Sequence, residues 1–171
     1  MQNKTSREIA LSGILTALGI IIPVFFHAFG AGPAFSPMHI PVLIAGFTLR
    51  LPFAAAVGFI TPVMSFIATG MPPVFPILPY MFFELPTYSV TACIMFKIMK
   101  KNVYFSLIIS MLAGRIVAGI VVWILVSFFG ARLAGPVAFI FGSITSAIPG
   151  IIVQLIIIPG IIVPLKKSKL I

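Results

Sequence analysis

The sequence predicts an all-α integral membrane protein, a bundle of six transmembrane helices. Of its 171 residues, 61% are hydrophobic and only 8% are charged, and the mean hydropathy is +1.26. Soluble globular domains carry about 25% charged residues, so the composition excludes that class. A spanning helix needs about 20 mainly apolar residues, and charged residues, Gly and Pro divide the chain into roughly six apolar segments, the second of which is shorter than this.

The six predicted segments take up most of the chain. Their bounds are 8–29, 37–49, 51–69, 75–97, 104–128 and 136–165. Residues 1–171 are therefore expected to form one six-helix transmembrane domain. The first segment follows basic residues, as the core of a signal peptide does, but it is longer than such a core and further segments follow it. We interpret it as a retained helix.

The basic residues predict how the bundle is oriented. With six crossings, most of them fall on one side of the membrane: Lys4, Arg7, Arg50, Lys97, Lys100, Lys101, Lys166, Lys167 and Lys169. Only Arg132 lies in a connection on the other side. The positive-inside rule then places both termini in the cytoplasm. This distribution accounts for the net charge of +9 without a nucleic-acid partner.

The sequence offers little for metal binding or disulfide formation. Its single cysteine, Cys93, lies in an apolar stretch, which excludes a disulfide framework. His27 and His39 flank the first external connection, but two acidic residues and one cysteine give too few further ligands for a zinc or nickel site. We expect no metal and no cofactor in this chain.

The motifs of common enzyme classes are missing from the sequence. It has no GxxxxGK[ST] phosphate loop, no HExxH, no GxSxG and no acidic cluster for magnesium. A reaction would have to depend on Glu84 and a histidine, without an evident nucleophile. We therefore expect the chain to bind a small molecule and not to act as an enzyme.

Two charged residues lie inside the predicted segments. Glu84 is in the fourth, with Tyr80 and Tyr88 one turn away on either side of it and on the same face. Arg115 is near the middle of the fifth, at nearly the same depth, given a rise of about 1.5 Å per residue. An ionisable residue inside a bilayer costs about 2.5–3.5 kcal/mol and normally faces a partner or a cavity. Glu84 and Arg115 thus form either a structural ion pair or the polar end of a ligand pocket.

The residues around this pair favour the ligand pocket. Tyr80, Tyr88 and Trp123 offer aromatic walls with polar tips, and Ser143 lies in the outer half of the sixth segment. The external connections HAFGAGPAFSPMHIP and ATGMPPVFP are rich in proline, which limits the conformations of an open loop. Each connection is therefore either a lid that loses little entropy on closing or a rigid cap.

A stripe of small residues runs along the first segment. In its GILTA stretch, Gly13 and Ala17 lie four residues apart. Small residues at this spacing let another helix approach closely. The stripe either contacts a partner protein or packs within the bundle.

Four stretches occur together in a defined order along the chain: GILTA in the first segment, PMHIPVLIAGF leading into the second, GFITPVMSFIATGMPPVFP across the third and its external connection, and AGR in the fifth. In this order and spacing they resemble the substrate-binding S component of energy-coupling factor (ECF) vitamin transporters. The resemblance covers nearly the whole chain.

The resemblance implies a multi-pass protein of the bacterial plasma membrane that captures a vitamin or vitamin precursor with high affinity. The implied partners are the ECF transmembrane coupling protein, which Gly13 and Ala17 would contact, and two ATP-binding subunits that would hydrolyse ATP. The loops around Phe35 and Met71 would close over the substrate. MHIP with TGMPP looks most like the branch associated with pantothenate and with cobalamin lower-ligand precursors.

Residue chemistry and the resemblance together give one set of expected substrate-binding residues: Phe35, His39, Met71, Tyr80, Glu84, Tyr88, Arg115, Trp123 and Ser143. The alternative function is a self-contained secondary transporter, which needs its own ion coupling and usually has two pseudo-symmetric halves. The sequence has one evident intramembrane charge pair. This observation favours the S component over a secondary transporter.

We expect replacement of Gly13 or Ala17 by leucine to impair assembly with the coupling protein. The larger side chain would hold the partner helix away from the stripe, so transport should fall on the order of tenfold, the equivalent of about 1.4 kcal/mol of binding free energy. Ligand binding by the isolated chain should stay intact. Co-purification, uptake and ligand binding measure these effects, and equal loss of all three would place the stripe inside the bundle.

Overall fold

The computed structural model describes residues 2–28, 30, 35–131, 133, 136–168 and 171, and within them it contains helices joined by turns and irregular connections, with no strand. Arg132, Lys169 and residues 31–34 of the first external connection lie outside this range. The α-helices of the described part are α1 Gln2–Ala28, α2 His39–Thr48, α3 Leu51–Thr69, α4 Ile77–Cys93, α5 Val103–Phe129, α6 Pro136–Ser146 and α7 Ile148–Lys167. A π-helical turn, Ile94–Ile98, continues α4.

Several of these helices have the length and composition of membrane spans. Four are long and apolar enough to cross a bilayer, over Lys4–His27, Leu51–Thr69, Val103–Phe129 and Ile148–Lys167. Helices suit this environment because they satisfy their backbone hydrogen bonds internally, without water. The chain is therefore a membrane protein, with the shorter apolar helices α2 and α6 packed among the longer ones.

The sixth predicted segment, 136–165, consists of two helices and not one. α6 ends at Ser146, Ala147 forms a turn, and α7 begins at Ile148. Pro149 occupies the first turn of α7. Proline has no N–H, its ring crowds the carbonyl of the preceding turn, and it restricts the residue before it. Pro149 thus cannot continue the hydrogen bonds of α6, which is consistent with the break at this point.

Basic side chains fix one end of the bundle. Arg50, at the connection between α2 and α3, forms an ion pair with Glu8 near the start of α1. Lys97 donates hydrogen bonds of 2.7 and 2.8 Å to the carbonyl oxygens of Thr48 and Leu49 at the end of α2. Carbonyls at a helix C-terminus have no partner within the helix, so Lys97 supplies one.

Close helix packing places α4 at the centre of the bundle, in contact with α2, α3 and α5. Two glycines allow this approach. A Cβ at Gly58 of α3 would collide with the backbone of Pro86, and a Cβ at Gly114 of α5 would collide with the ring of Tyr88. Both contacts bring a neighbouring helix against the part of α4 that follows Glu84.

Gly58→Ala should destabilise the protein because its methyl group would overlap the backbone of Pro86. Overpacking of this kind costs about 1–3 kcal/mol. Gly13→Ala is the matched control, since a Cβ at Gly13 meets no atom within 4 Å. The melting temperature in detergent should fall for Gly58→Ala and stay the same or rise slightly for Gly13→Ala. Equal melting temperatures would contradict the close packing of α3 on α4.

Candidate functional site

A cavity of about 740 Å³ lies at the end of the bundle opposite the Glu8–Arg50 pair. Its wall is built by the last turns of α1 and α3, one face of α6, the approach to α2 and its first residue, the first turns of α4 and one residue of α5. Pockets for small molecules typically measure about 300–1,000 Å³. The volume is therefore that of a small-molecule site.

Most of the cavity wall is apolar, with side chains such as Met38, Met81 and Phe139. The charged side chains are gathered at one place, where Glu84 of α4 meets Arg115 of α5. A mainly apolar wall with a few convergent polar groups is typical of pockets that bind small organic molecules.

Glu84 is the centre of this polar cluster. Its Oε1 lies 2.9 Å from Nη1 of Arg115, as the depths of the two residues along their helices predict. The same oxygen accepts a 2.6 Å hydrogen bond from the hydroxyl of Tyr88. The Glu84 side chain is 1% exposed and that of Arg115 is 14% exposed. Both side chains border the cavity, and that of Glu84 is the more deeply buried of the two.

His39, the first residue of α2, faces the same cluster through its Nε2. Its Nδ1 lies 2.9 Å from the carbonyl oxygen of Ser36, and because a carbonyl only accepts, Nδ1 must donate. In the neutral ring, Nε2 therefore carries the lone pair. Nε2 lies 3.9 Å from Oε1 of Glu84, which is too far for a hydrogen bond but within the distance of an ion pair when the ring is protonated. It has no hydrogen-bond partner among the described residues.

A smaller cavity of about 140 Å³ adjoins the first. Both cavities are bordered by His39, Arg115 and Ala147. Tyr88 and Gln154 line the smaller one and not the larger. The break between α6 and α7 at Ala147 therefore borders both spaces.

The structure brings most of the predicted site residues together. Those that line the larger cavity are His39, Met71, Tyr80, Glu84, Arg115 and Ser143. Phe35 packs against Phe26, with 5.3 Å between ring centres, and is not part of the described wall. Trp123 is 53% exposed and lines neither cavity in the described part of the chain.

The position of Trp123 follows from the rotation of α5. The inward face of this helix is a buried stripe of small residues, Ser106, Ser110, Gly114 and Ala118. Five residues beyond Ala118, Trp123 points roughly 140° away from this stripe. Its aromatic character suggested a pocket wall, but its place on the helix directs it outward.

The sequence analysis missed several cavity residues, although they share a helix face with residues that it predicted. On α6 the wall includes Phe139, Gly142, Ser143 and Ser146. On α4 they are Ile77, Tyr80, Met81 and Glu84. Each set has the i, i+3, i+4, i+7 spacing of one helix face. The two faces meet where the rings of Tyr80 and Phe139 pack with 5.2 Å between their centres.

The histidines at the cavity do not assemble a metal centre in the part of the chain that the structure describes. His27 and His39 both border the larger cavity. No group of three or more His, Cys, Asp or Glu side chains there is arranged to hold a metal ion. The chemistry that the described site offers is ion pairing, hydrogen bonding and apolar contact.

Comparison with known proteins identifies a family for this chain. The family model described as "ECF transporter, substrate-specific component" matches residues 7–162. No curated protein and no solved structure matches the chain significantly. The matched range includes all the residues that line the two cavities. The match confirms the resemblance carried by the four stretches of sequence.

Glu84→Gln and Arg115→Met should each destabilise the protein, because each leaves the partner's charge buried and unpaired. The expected loss is about 3–5 kcal/mol of unfolding free energy, and the double substitution should recover most of it. The double variant should nevertheless fail to bind ligand, since the cavity loses both charges. Melting temperature and ligand binding in detergent measure the two effects. Full binding by a stable double variant would exclude the pair from recognition.

Proposed function

Because the chain belongs to the ECF transporter substrate-specific component family, we propose that it captures a vitamin or vitamin precursor outside the cell for import. The observation that carries this proposal is the cavity of about 740 Å³ with the Glu84–Arg115 pair in its wall. A vitamin-sized molecule fits such a volume, and few polar groups in an apolar wall are what a specific small-molecule site requires.

The proposed topology has six crossings of a bacterial plasma membrane and both termini in the cytoplasm. Contacts at the basic end support it. The Glu8–Arg50 pair and the hydrogen bonds from Lys97 join α1, α2 and α4 there, and Lys166 of α7 lies 5.2 Å from the ring centre of Phe96. By the positive-inside rule this end is cytoplasmic. α2 crosses as a short helix whose residues are mostly buried by its neighbours.

In this topology the cavity opens to the outside. The segments Ser36–Met38 and Met71–Pro73 border it there, and we assign them as parts of two lids. Met71 is 42% exposed, so its side chain has room to move. Closing these segments would complete the enclosure of the bound molecule.

The proposed partners are the ECF transmembrane coupling protein and two ATP-binding subunits, which would hydrolyse ATP. The outward face of α1 supports the assignment of the coupling surface. Gly13 and Ala17 are exposed on this helix, and a Cβ at Gly13 would meet no atom of the described chain within 4 Å. The stripe is therefore not used for packing inside the described bundle, which leaves it available to a partner.

The narrower substrate assignment remains pantothenate or a cobalamin lower-ligand precursor. It is supported by the resemblance of MHIP and TGMPP to one branch of the family. Both stretches border the cavity in part, through Met38, His39 and Met71–Pro73, so their residues are in a position to influence which molecule is bound.

The decisive experiment is the identification, by mass spectrometry, of the small molecule that co-purifies with the detergent-solubilised chain. We expect a vitamin or precursor, and we expect its uptake into liposomes only when the coupling protein and ATP-binding subunits are present with ATP. Uptake by the isolated chain under an ion gradient would instead identify a secondary transporter. Absence of any bound molecule and of any uptake would refute the proposal.

Replacement of residues 70–73, GMPP, by GSGS should weaken ligand binding. The flexible segment gains open conformations that compete with the closed lid, so affinity should fall on the order of tenfold through faster dissociation. The control is Lys100→Gly with Lys101→Ser in a connection at the basic end, which should leave affinity unchanged. Equal dissociation rates in the GSGS variant and the wild type would show that this segment is not a lid.

A further inference from the structure

The segment Met71–Pro73, assigned above as part of a lid, is fastened by side chains to the end of α3. We infer that Ser65 and Thr69 are positioning residues that hold this segment at the cavity rim and thereby slow the release of the bound molecule. The inference rests on the proposed function and goes beyond it, because it names the side chains that control how one edge of the site opens.

Both main-chain polar groups of Met71 are hydrogen-bonded to side chains of α3. The hydroxyl of Ser65 donates a 2.8 Å hydrogen bond to the carbonyl oxygen of Met71. The amide N–H of Met71 donates to Oγ1 of Thr69 over 3.2 Å. Two residues one helical turn apart therefore clamp a single residue of the connection from both sides of its backbone.

The hydroxyl of Thr69 links the two halves of this clamp. Its oxygen lies 2.7 Å from the carbonyl oxygen of Ser65 and 3.3 Å from that of Met71. A hydroxyl has one hydrogen to donate, and the shorter distance assigns that hydrogen to Ser65. The oxygen of Thr69 then remains free to accept from the N–H of Met71, so α3 and the lid share a continuous chain of hydrogen bonds.

The prolines of the segment leave it few other anchors. Pro72 and Pro73 have no N–H, so they cannot donate to α3 as Met71 does. On the other side, the carbonyl oxygen of Pro73 accepts a 3.0 Å hydrogen bond from the N–H of Leu78 in α4. The segment is thus tied to α3 at Met71 and to α4 at Pro73. The first tie depends on two side chains, which substitution can remove one at a time.

Ser65 borders the cavity but acts on the lid. It is 2% exposed and lines the larger cavity, as Thr69 and Met71 do. Its hydroxyl has a single hydrogen, which it donates to Met71. Ser65 therefore has no hydrogen left to donate to a bound molecule, and its contribution to the site is the position of the segment beside it.

Opening the lid at Met71 would break the bonds that it makes with Ser65 and Thr69. A buried polar group that loses its partner costs more free energy than an average hydrogen bond contributes. The clamp therefore disfavours open states at this edge of the cavity, and a molecule that leaves past this edge must wait for it to open. Removal of one clamp residue should speed release on the order of tenfold.

The first test follows the lid without any bound molecule. A nitroxide label at Val74→Cys, one residue beyond the segment, reports its motion in the purified full chain; Val74 is 56% exposed. The background variant is Cys93→Ala, because Cys93 is the chain's single cysteine. We expect the label to gain mobility in Ser65→Ala and in Thr69→Val. Thr69→Ser keeps the hydroxyl, so it should restore the restricted motion.

Thr48→Val is the matched control for Thr69→Val. Thr48 is the last residue of α2, as Thr69 is of α3, and its hydroxyl donates a 2.7 Å hydrogen bond to the carbonyl oxygen of Ile44, four residues earlier. It makes the same bond within its helix, but at the basic end of the bundle and away from the lid. The two valine variants should change the melting temperature to a similar extent, whereas only Thr69→Val should loosen the label.

The second test measures release. Radiolabelled pantothenate and 5,6-dimethylbenzimidazole are bound to the purified full chain, and their dissociation is followed after dilution. If neither binds, the loss of the molecule that co-purifies is followed by mass spectrometry in the same way. We expect Ser65→Ala and Thr69→Val to release the bound molecule roughly tenfold faster than the wild type. Thr69→Ser and Thr48→Val should release it at the wild-type rate.

Each outcome bears on the inference. Unchanged label motion in Ser65→Ala and Thr69→Val, or unchanged release from them, would overturn it and leave capture of a small molecule intact. Equal loosening of the label by Thr48→Val would also overturn it, because the effect would then be a general loss of helix stability. If the chain binds no molecule and the assembled complex imports nothing, the proposed function fails, and the control of release fails with it even where the label shows that the clamp holds.

Discussion

The buried ion pair between Glu84 and Arg115 is the interaction on which the site depends. A charge in a low-dielectric interior is tolerated only with a partner at hydrogen-bonding distance, so α4 and α5 must meet at one defined depth. Gly114 makes this possible, because the absence of a side chain lets the ring of Tyr88 lie against α5. The hydroxyl of Tyr88 then donates a hydrogen bond to Oε1 of Glu84. Helix packing and the polarity of the cavity are thus set by the same few residues.

The second polar group of the site, His39, is also held in place by its neighbours. The His39 ring is fixed on one edge by its hydrogen bond to the Ser36 carbonyl, and it packs edge-on against Tyr88 with 5.0 Å between ring centres. The following residues of α2 are buried in the core. Support of this kind keeps the geometry of a side chain fixed. The short helix α2 thus holds His39 beside the Glu84–Arg115 pair at one end, and Lys97 fixes its opposite end.

Hydropathy and charge predicted the features of this protein that depend on the bilayer. The apolar segments follow from the need to satisfy the backbone without water, and most of them correspond to helices. The Glu84–Arg115 contact was predictable because two buried charges of opposite sign at one depth have few other partners. The break at Ala147 was harder to predict, since Pro23, Pro62 and Pro86 all lie inside continuous helices. Proline alone therefore does not mark where a membrane helix ends.

What hydropathy does not predict is the rotation of each helix about its axis. In a soluble helix the polar face identifies the outside, but in this chain large apolar residues lie both on the exposed surface and in the core. On α5 the buried side carries the small-residue stripe Ser106–Ser110–Gly114–Ala118, which lets another helix approach closely. It also carries larger apolar residues such as Leu107 and Val122. Polar site residues could be predicted because burial requires partners for them. Trp123 could not, because an aromatic ring packs as well against lipid as against a ligand.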